Sequence, residues 1–484
     1  MTTSDLDNRL KKIAFKFSDL DVTPNTFLQL VKPTQELLEP YEAYFSEKGP
    51  RILYSRLLFF PRILSNFFNS ILISISRMDE LKSWKAHQVR TNTSLFISHY
   101  TNAQLPHEND AFFGELLDRT SNCVLYLNST RLRHKKLLEV YGDESRSNLN
   151  FMTKSLNPGA VLLMHFQYFM VSMRFFASSF DSSLDDRDKW LLIEAGIRQH
   201  SRATMANKFF EIRVSELIRQ VQPKVIHFTF EGHSHEALLI NLIHKEFKHI
   251  VLAPYQHAPI VPEQFGLIRN IHRLGEIDRI YTSGGITQEY FMSFRSDIPI
   301  IVIGSSKFKA LSQNPRHGDK VKVIGASEGT VQSLRDFIKL FASLTASQTN
   351  FDFYLRVHPA ISEKELETTL QEEGGTGVLI SRNTLIDDLS TSTYCIYRSS
   401  AVAIEGLAYG VTPIYFDQSR SQGLNPLYLA NLHLPAFGSA DELIDFFGDV
   451  SSLNTSNQGI DPEKLSRISE GYFSKLTGKL PIEV

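Results

Sequence analysis

Two stretches of this chain end apolar runs in residues that can hold an anion: YLRVHPAISEKE (354–365) and YRSSAVAIEGLAYGVTPIYF (397–416). In the second, Ser399 and Ser400 stand where a strand hands over to a helix. Their hydroxyls and the unpaired amides of the first turn therefore face outward together. In the first, His358 closes a strand ahead of Pro359 and can donate a hydrogen bond to the same oxygens. Negative charge that grows on a departing phosphate needs donors of this kind. Glu405, on the first turns of the helix, is placed to accept from ribose hydroxyls. GASEG (325–329) ends a further strand, contributes Ser327 and Glu328, and lets backbone approach a nucleotide closely. Arg356 and Arg398 complete the strand-end set. Taken singly, His-Pro after a strand is ordinary turn chemistry and Ser-Ser an ordinary helix cap. Their occurrence at adjacent strand ends points to one phosphate.

Such residues need a scaffold that brings strand ends together. From residue 94 onward, apolar runs alternate with helix-period segments. SLFISHY (94–100), NCVLYLNST (122–130), KVIHFTFEG (224–232), HIVLAPYQHAP (249–259), RIYTSG (279–284) and IPIIVIGSSK (298–307) form a first series of strands. KVKVIGASEG (320–329), FDFYLRVHP (351–359), GVLIS (377–381), YCIYRSS (394–400) and TPIYFD (412–417) form a second. Strands without polar alternation, interleaved with helices, belong to parallel sheets covered on both faces. Helices are expected over 110–120, 160–180 and 188–221, among others. The expected architecture is α/β, with two facing Rossmann-like domains. The divisions are a helical extension (1–91), a first Rossmann-like domain (92–305), a second (306–430) and a helical tail packing back (431–484).

LRVHP followed by YRSSAVAIEGLAYGVTPIYF resembles the His-Pro and Ser-Ser motifs of GT-B glycosyltransferases that use CMP-activated acidic sugars. These are the bacterial sialyltransferases and, more closely, the Kdo (3-deoxy-D-manno-octulosonate) transferases of capsule and lipopolysaccharide synthesis. The resemblance implies the GT-B fold, a CMP-sugar donor, no cofactor and no metal. It assigns the CMP phosphate to His358, Ser399 and Ser400 and a nucleotide contact to Glu405. It spans roughly 92–430. FISHYTNAQLPHENDAFFGEL is similar to the opening strand and loop of surface-carbohydrate transferases, and APYQHAPI to their Gln-His-Gly element, with Ala258 in place of the glycine. TFEGHSHE departs from the acidic-acidic-glycine motif of sialyltransferases, since Phe230 precedes Glu231.

Sugar transfer also needs a carboxylate on the acceptor side. It serves as general base on the acceptor hydroxyl, or as nucleophile beside an acid/base partner in a double displacement. Glu231, at a strand end before Gly232, is the first choice, with Asp110 and Glu236 as alternatives. A helix N-terminal acid is the competing role, and for Glu236 the preferred one. His257 ends the next strand and is placed to bind a sugar carboxylate or assist proton transfer; a purely structural histidine is the alternative. A zinc reading of His233, His235 and His257 has the His-x-His spacing but no HExxH. The Asp-x-Asp pairs (Asp5/Asp7, Asp19/Asp21, Asp186/Asp188) fall away from strand ends and read as solvated acids.

Composition narrows the classes further. The chain has 484 residues, 42% hydrophobic and 21% charged, with 51 basic against 53 acidic side chains. Near-neutrality gives no electrostatic footing for nucleic acid. Cys123 and Cys395, the two cysteines, lie in apolar runs and read as core thiols of a reducing cytosol. The N-terminus has no apolar signal core. Residues 51–78 are strongly apolar but interrupted by Pro61 and by Arg51, Arg56, Arg62 and Arg77. A buried helical layer with snorkelling arginines is the preferred reading. An amphipathic helix pair in peripheral contact with a membrane surface, at its cytoplasmic inner face, is the other.

The function implied is transfer of Kdo or a related nonulosonic acid from a CMP donor to a glycan or glycolipid acceptor. A CDP-glycerol or CDP-ribitol phosphotransferase of the teichoic-acid type, or a non-catalytic scaffold of the same fold, would place similar residues at the same strand ends.

Overall fold

The computed structural model describes residues 2–20, 22–32, 34, 38–76, 94–99, 110, 112–117, 120, 123–128, 149–150, 158–273, 277–308, 320–375, 377–418, 422–430, 432, 434, 436–452 and 462–477. Residues 100–109, Asp21 and Arg77 lie outside them. The extension opens with α1 (Thr3–Lys16), capped by Thr2, whose hydroxyl accepts from Asp5 N while Asp5 returns a bond to Thr2 N. It continues through the turn Thr26–Leu28 to α2 (Ile52–Ser76).

The first domain follows as β1 (Ser94–His99), β2 (Cys123–Asn128), β3 (Leu149–Asn150), α3 (Pro158–Ser178), α4 (Asp186–Arg198), α5 (Arg202–Val221), β4 (Val225–Thr229), α6 (Ser234–Glu246), β5 (Val251–Gln256), α7 (Phe265–Arg273), β6 (Ile280–Thr282), α8 (Gly285–Met292) and β7 (Ile300–Val302). The second contains β8 (Val321–Ala326), α9 (Val331–Ser347), β9 (Phe351–Arg356), α10 (Glu363–Glu372), β10 (Leu379–Ile380), α11 (Leu385–Thr391), β11 (Tyr394–Tyr397), α12 (Val402–Leu407), β12 (Thr412–Phe416) and β13 (Ala436–Phe437). The chain then runs through α13 (Ala440–Ser452) and α14 (Pro462–Tyr472).

Both sheets are parallel. Their orders are β3-β2-β1-β4-β5-β6-β7 and β10-β9-β8-β11-β12-β13. Each is the doubly wound order in which the chain starts at the centre, winds to one edge and returns to build the other. The molecule is therefore two Rossmann-like domains with an N-terminal helical extension, the GT-B arrangement. Central strands are closed on both faces: every residue of β4 is buried, and Leu95, Ile226, Leu252, Ile324 and Ile396 are inaccessible. Cys123 and Cys395 are free, buried thiols, and burial raises the Cys395 thiol to about 12.

The extension is welded to the first domain. Asp7 pairs with Arg269 of α7, both buried, and Arg269 also reaches Leu28 O at 3.3 Å. The tail crosses back as well. Ser474 N donates to Ser283 O at 2.8 Å, and Ser305 N donates to Ser474 O at 2.9 Å.

Several local expectations change. Among the described residues of 110–120 only the turn Gly114–Leu116 is helical, and Asp110 accepts from the Phe112 and Phe113 amides ahead of it. The segment 188–221 is two helices, because Ser201 caps α5 through Thr204 N and breaks the run. Pro61 does not divide α2. It removes one amide donor, to Leu57 O, and Leu57 is on the exposed side.

Arg356 belongs to the framework. Fully buried Asp388 accepts from Arg356 Nη1 at 3.0 Å, Lys322 Nζ at 3.1 Å, Ser381 Oγ at 2.6 Å and Asn383 Nδ2 at 3.2 Å. Burial alone would raise the Asp388 carboxyl, but these bonds and the Lys322 charge hold it below the ordinary value. Its stabilisation is thus present at neutral pH and lost as pH falls through that lowered value. Asp388→Ala, which strands two cations, should cost about 3–5 kcal/mol in urea unfolding.

Candidate functional site

In a doubly wound sheet the ligand crevice lies beyond the strand ends where the winding reverses. Here that is β1/β4 in the first sheet and β8/β11 in the second. The residues beyond those ends are His99 and Glu231 on one side, and Ser327, Glu328, Arg398 and Ser399 on the other.

On the first side Glu231 is the focus. Its Oε1 lies 2.9 Å from His257 Nε2, and its other oxygen 3.9 Å from His233 Nε2. The side chain keeps 28% of its surface open. Burial pushes the Glu231 carboxyl up. The His257 hydrogen bond and the charges around it, Lys32 included, more than offset this and hold it well below the usual carboxylate range. His257 is buried, its ring edge-on to Phe112 at 4.7 Å, and its Nδ1 has no hydrogen-bond partner among the described residues.

Glu236 takes the structural role preferred for it. It is buried and accepts from Gly232 N at 2.7 Å, His233 N at 2.9 Å and Glu231 N at 2.9 Å, fixing the turn that presents Glu231. Asp110 is also buried and accepts from Ser98 Oγ at 2.7 Å and Phe113 N at 2.8 Å. It ties the end of β1 to the Phe112–Phe113 backbone. His235 Nε2 faces His99 Nε2 at 3.0 Å. Among the described residues no three His, Cys, Asp or Glu side chains are placed to hold a metal ion.

The turn itself admits no side chain. Gly232 has φ +94°, and a Cβ there would stand 2.1 Å from Leu267 N. Gly266 packs against Gly232 O and Val31 Cα, and Gly266 N donates to Val31 O at 3.0 Å. The chain leaving Val31 therefore sets Lys32 beside Glu231.

On the second side, His358 Nδ1 accepts from Ala360 N at 3.1 Å, so the neutral ring carries its proton on Nε2 as an outward donor. Ile361 N donates to His358 O at 3.0 Å, closing a turn with Pro359 at its second position. His358 keeps solvent access. Lost hydration, first, and the charges of Lys307 and Lys32 still hold it below the usual histidine value, against Glu328. Lys32 therefore acts on both Glu231 and His358, which places it between the two crevices. Ser399 Oγ and Ser327 Oγ are buried and lack a partner among the described residues. Ser400 Oγ accepts from Val402 N at 3.3 Å. The helix these serines open is only α12, six residues long, with Ala401 at its cap position, so its dipole adds less than a long helix would. Glu405 sits half-buried on it beside Tyr409.

Arg398 Nε bonds Glu328 Oε1 at 2.9 Å and Nη1 lies 3.6 Å from Asp336. With Arg356 on Asp388, both arginines are spent on internal carboxylates. Lys32 and Lys307, the cations whose charges act on His358, were not singled out in the sequence. Lys32 sits in LVKPTQ, where nothing marks it, whereas His99 closes β1 and the strand-end rule could have found it. A cavity of 580 Å³ opens between Leu38, Glu39, Glu42 and Phe45 of the extension and Arg398, Asp417 and Leu424 of the second domain.

No protein-family model matches the chain, and no curated protein matches it. Solved structures give distant likenesses. A UDP-GlcNAc 2-epimerase from Neisseria meningitidis bound to UDP-GlcNAc is 10% identical over 78% of this chain and 94% of that one, with TM-score 0.45. An S. aureus MnaA–UDP co-structure is 10% identical over 80% and 93%, TM-score 0.45. The glycosyltransferase SnogD from Streptomyces nogalater is 12% identical over 79% and 95%, TM-score 0.40. The fold assignment rests on the strand orders above.

Proposed function

We propose that the chain is a glycosyltransferase that binds a nucleotide-activated sugar in the cleft between its domains. The observation that carries the proposal is the pairing of unspent phosphate donors (His358 Nε2, Ser399 Oγ, Ser327 Oγ) with a partly open carboxylate, Glu231, at the opposite switch point. The acceptor hydroxyl loses its proton to the Glu231–His257 pair and its oxygen joins the anomeric carbon. The bond from that carbon to the donor phosphate breaks, and the phosphate keeps the electrons while the donors receive its charge. Asp110 supports the loop on the acceptor side. Glu405 is assigned to the ribose, and Glu328 and Arg398, bonded to each other, to the walls of the nucleoside pocket. Framework-bound Arg356 and turn-forming Pro359 position His358.

The donor we favour is CMP-Kdo or a related nonulosonic acid, on the His-Pro and Ser-Ser motifs, with a glycan or glycolipid acceptor. Lys32 and Lys307 are the observation that favours a second reading, a nucleoside diphosphate donor, since two cations suit two phosphates.

A thermal-shift panel of CMP, CDP, UDP, GDP and ADP on wild type and His358→Ala tests this. A ligand that binds only the native state at about 100 times its Kd adds about 2.7 kcal/mol. Stabilisation by CMP that weakens at least about tenfold in apparent affinity in His358→Ala is the expected result, at roughly 1.5–3 kcal/mol for a hydrogen bond to a charged group. Response to UDP or GDP alone would keep the site and replace the donor. Silence across the panel would refute nucleotide binding.

A further inference from the structure

The outer face of the N-terminal helices is used neither by the cleft nor by the core. On α2, Leu53, Leu57, Phe60, Leu64 and Phe68 recur at three- and four-residue steps and stand exposed, Leu57 by 69%. On α3, Leu162, Phe166 and Met170 do the same, Phe166 by 58%. The two helices run antiparallel in contact. Ser70 Oγ lies 3.2 Å from His165 Nδ1 near one end, and the rings of Phe59 and Phe176 stack at 4.2 Å near the other. Their inner sides close on α4, where a Cβ at Gly196 would meet Ser172 O at 3.0 Å and the Phe59 ring at 3.1 Å. The exposed stripes are thus one contiguous apolar face, larger than scattered surface residues make.

The two helices themselves carry only cations, although at the rim Lys16 pairs with Asp181 at 3.6 Å and Arg174 with Asp19 at 3.0 Å. Neither α2 nor α3 contains an Asp or Glu. Lys48 and Arg51 stand exposed at the entry to α2, and Arg56 lies over the Phe180 ring at 4.0 Å. Phe15, 81% exposed at the end of α1, continues the rim between Lys12 and Lys16. A second copy of this chain would set these cations against one another with no helix carboxylate between them. A lipid surface with anionic headgroups supplies both the apolar phase and the counter-charge. No helix among the described residues is long and apolar enough to cross a membrane.

We propose that α2 and α3 lie side by side in the interfacial plane of an anionic bilayer, with their leucines and phenylalanines below the headgroups and Lys48, Arg51, Lys12 and Lys16 among the phosphates. This is the second of the two readings that the sequence allowed for 51–78, where a buried layer was preferred, and it is independent of which nucleotide the cleft accepts.

Co-sedimentation of the full chain with phosphatidylcholine vesicles, with and without phosphatidylglycerol, tests it beside Leu57→Glu/Phe166→Glu and Arg51→Glu variants. All three positions are exposed, and an unchanged thermal midpoint checks the fold. Wild type is expected to bind anionic vesicles, and the double variant to partition at least about tenfold less, since each buried apolar side chain is worth about 1.5–3 kcal/mol. Arg51→Glu should weaken binding to the anionic vesicles alone. Wild type left in the supernatant with both vesicles, or a double variant that binds as wild type does, overturns the proposal. So does a dimer in sedimentation velocity that the double variant dissolves while no vesicle is bound, which would assign the face to a second copy.

Discussion

Glu231→Gln is expected to bind nucleotide as wild type does and to transfer sugar at least about 100-fold more slowly, the low end of what a positioned acid–base group contributes. Glutamine matches glutamate in volume and can still accept from His257 Nε2, so the turn around Gly232 stays in place. It cannot take a proton, and it removes the charge that His257 faces at 2.9 Å. The phosphate donors stand on the other domain, so affinity for CMP should not move. Calorimetric titration beside initial rates with a CMP-activated acidic sugar reads both quantities from one preparation. Full activity in Glu231→Gln would remove this residue from the mechanism, and a parallel loss of binding would mean a damaged cleft. Because the native carboxyl is held well below the usual range, Glu231 stays charged throughout the neutral region. A fall in rate between about pH 8 and about pH 6 would therefore have to come from another group.

Gly232→Ala should be the most damaging single methyl in the molecule, costing about 3 kcal/mol or more in chemical unfolding. Two effects combine. An alanine is strained at φ +94°, and its Cβ would meet backbone, which cannot swing aside, at Leu267 N and Gly266 C. Relief would have to come from moving α7 away from the turn, which breaks the Gly266–Val31 bond and shifts Lys32 as well. A variant as stable as wild type, measured by urea midpoint and slope, would show that the turn relaxes freely. Binding of Glu231-directed substrates and of nucleotide should fall together in Gly232→Ala, in contrast with Glu231→Gln.

The two sheets were legible because parallel strands covered on both faces must read as unbroken apolar runs, as Val225–Thr229 and Val321–Ala326 do. Elements held by a few bonds to an edge were not. β3 and β13 are two residues each, too short to carry a pattern, whereas β10, equally short, was read within GVLIS. Residues 110–120 have helical spacing, but buried Asp110 captures the Phe112 and Phe113 amides and forms a loop there. The segment after 188 hid its break because Ser201 is an ordinary helix residue by composition and a cap only by its contact with Thr204.

The site followed the same division. Strand-end positions were readable from the alternation alone, so His358, Ser399, Glu231 and His257 fall at the crevices. Which of their neighbours are already spent was not. Arg398 meets Glu328 across 70 positions, and Arg356 meets Asp388 across 32. Lys32 reaches the cleft only because Gly266 lets the extension pass beneath it. A lone lysine before a proline has no sequence pattern that foretells this.

The tail and the interdomain linker leave the first domain side by side. Ser305 N bonds Ser474 O, and Thr477 N bonds Ile303 O at 2.9 Å. Two covalent crossings joined in this way act as a door hinge with both leaves pinned on one line. An opening of the cleft would turn most readily about 303–305 and 474–477, and it would stretch the bond from Glu263 N to Gly423 O at 3.0 Å.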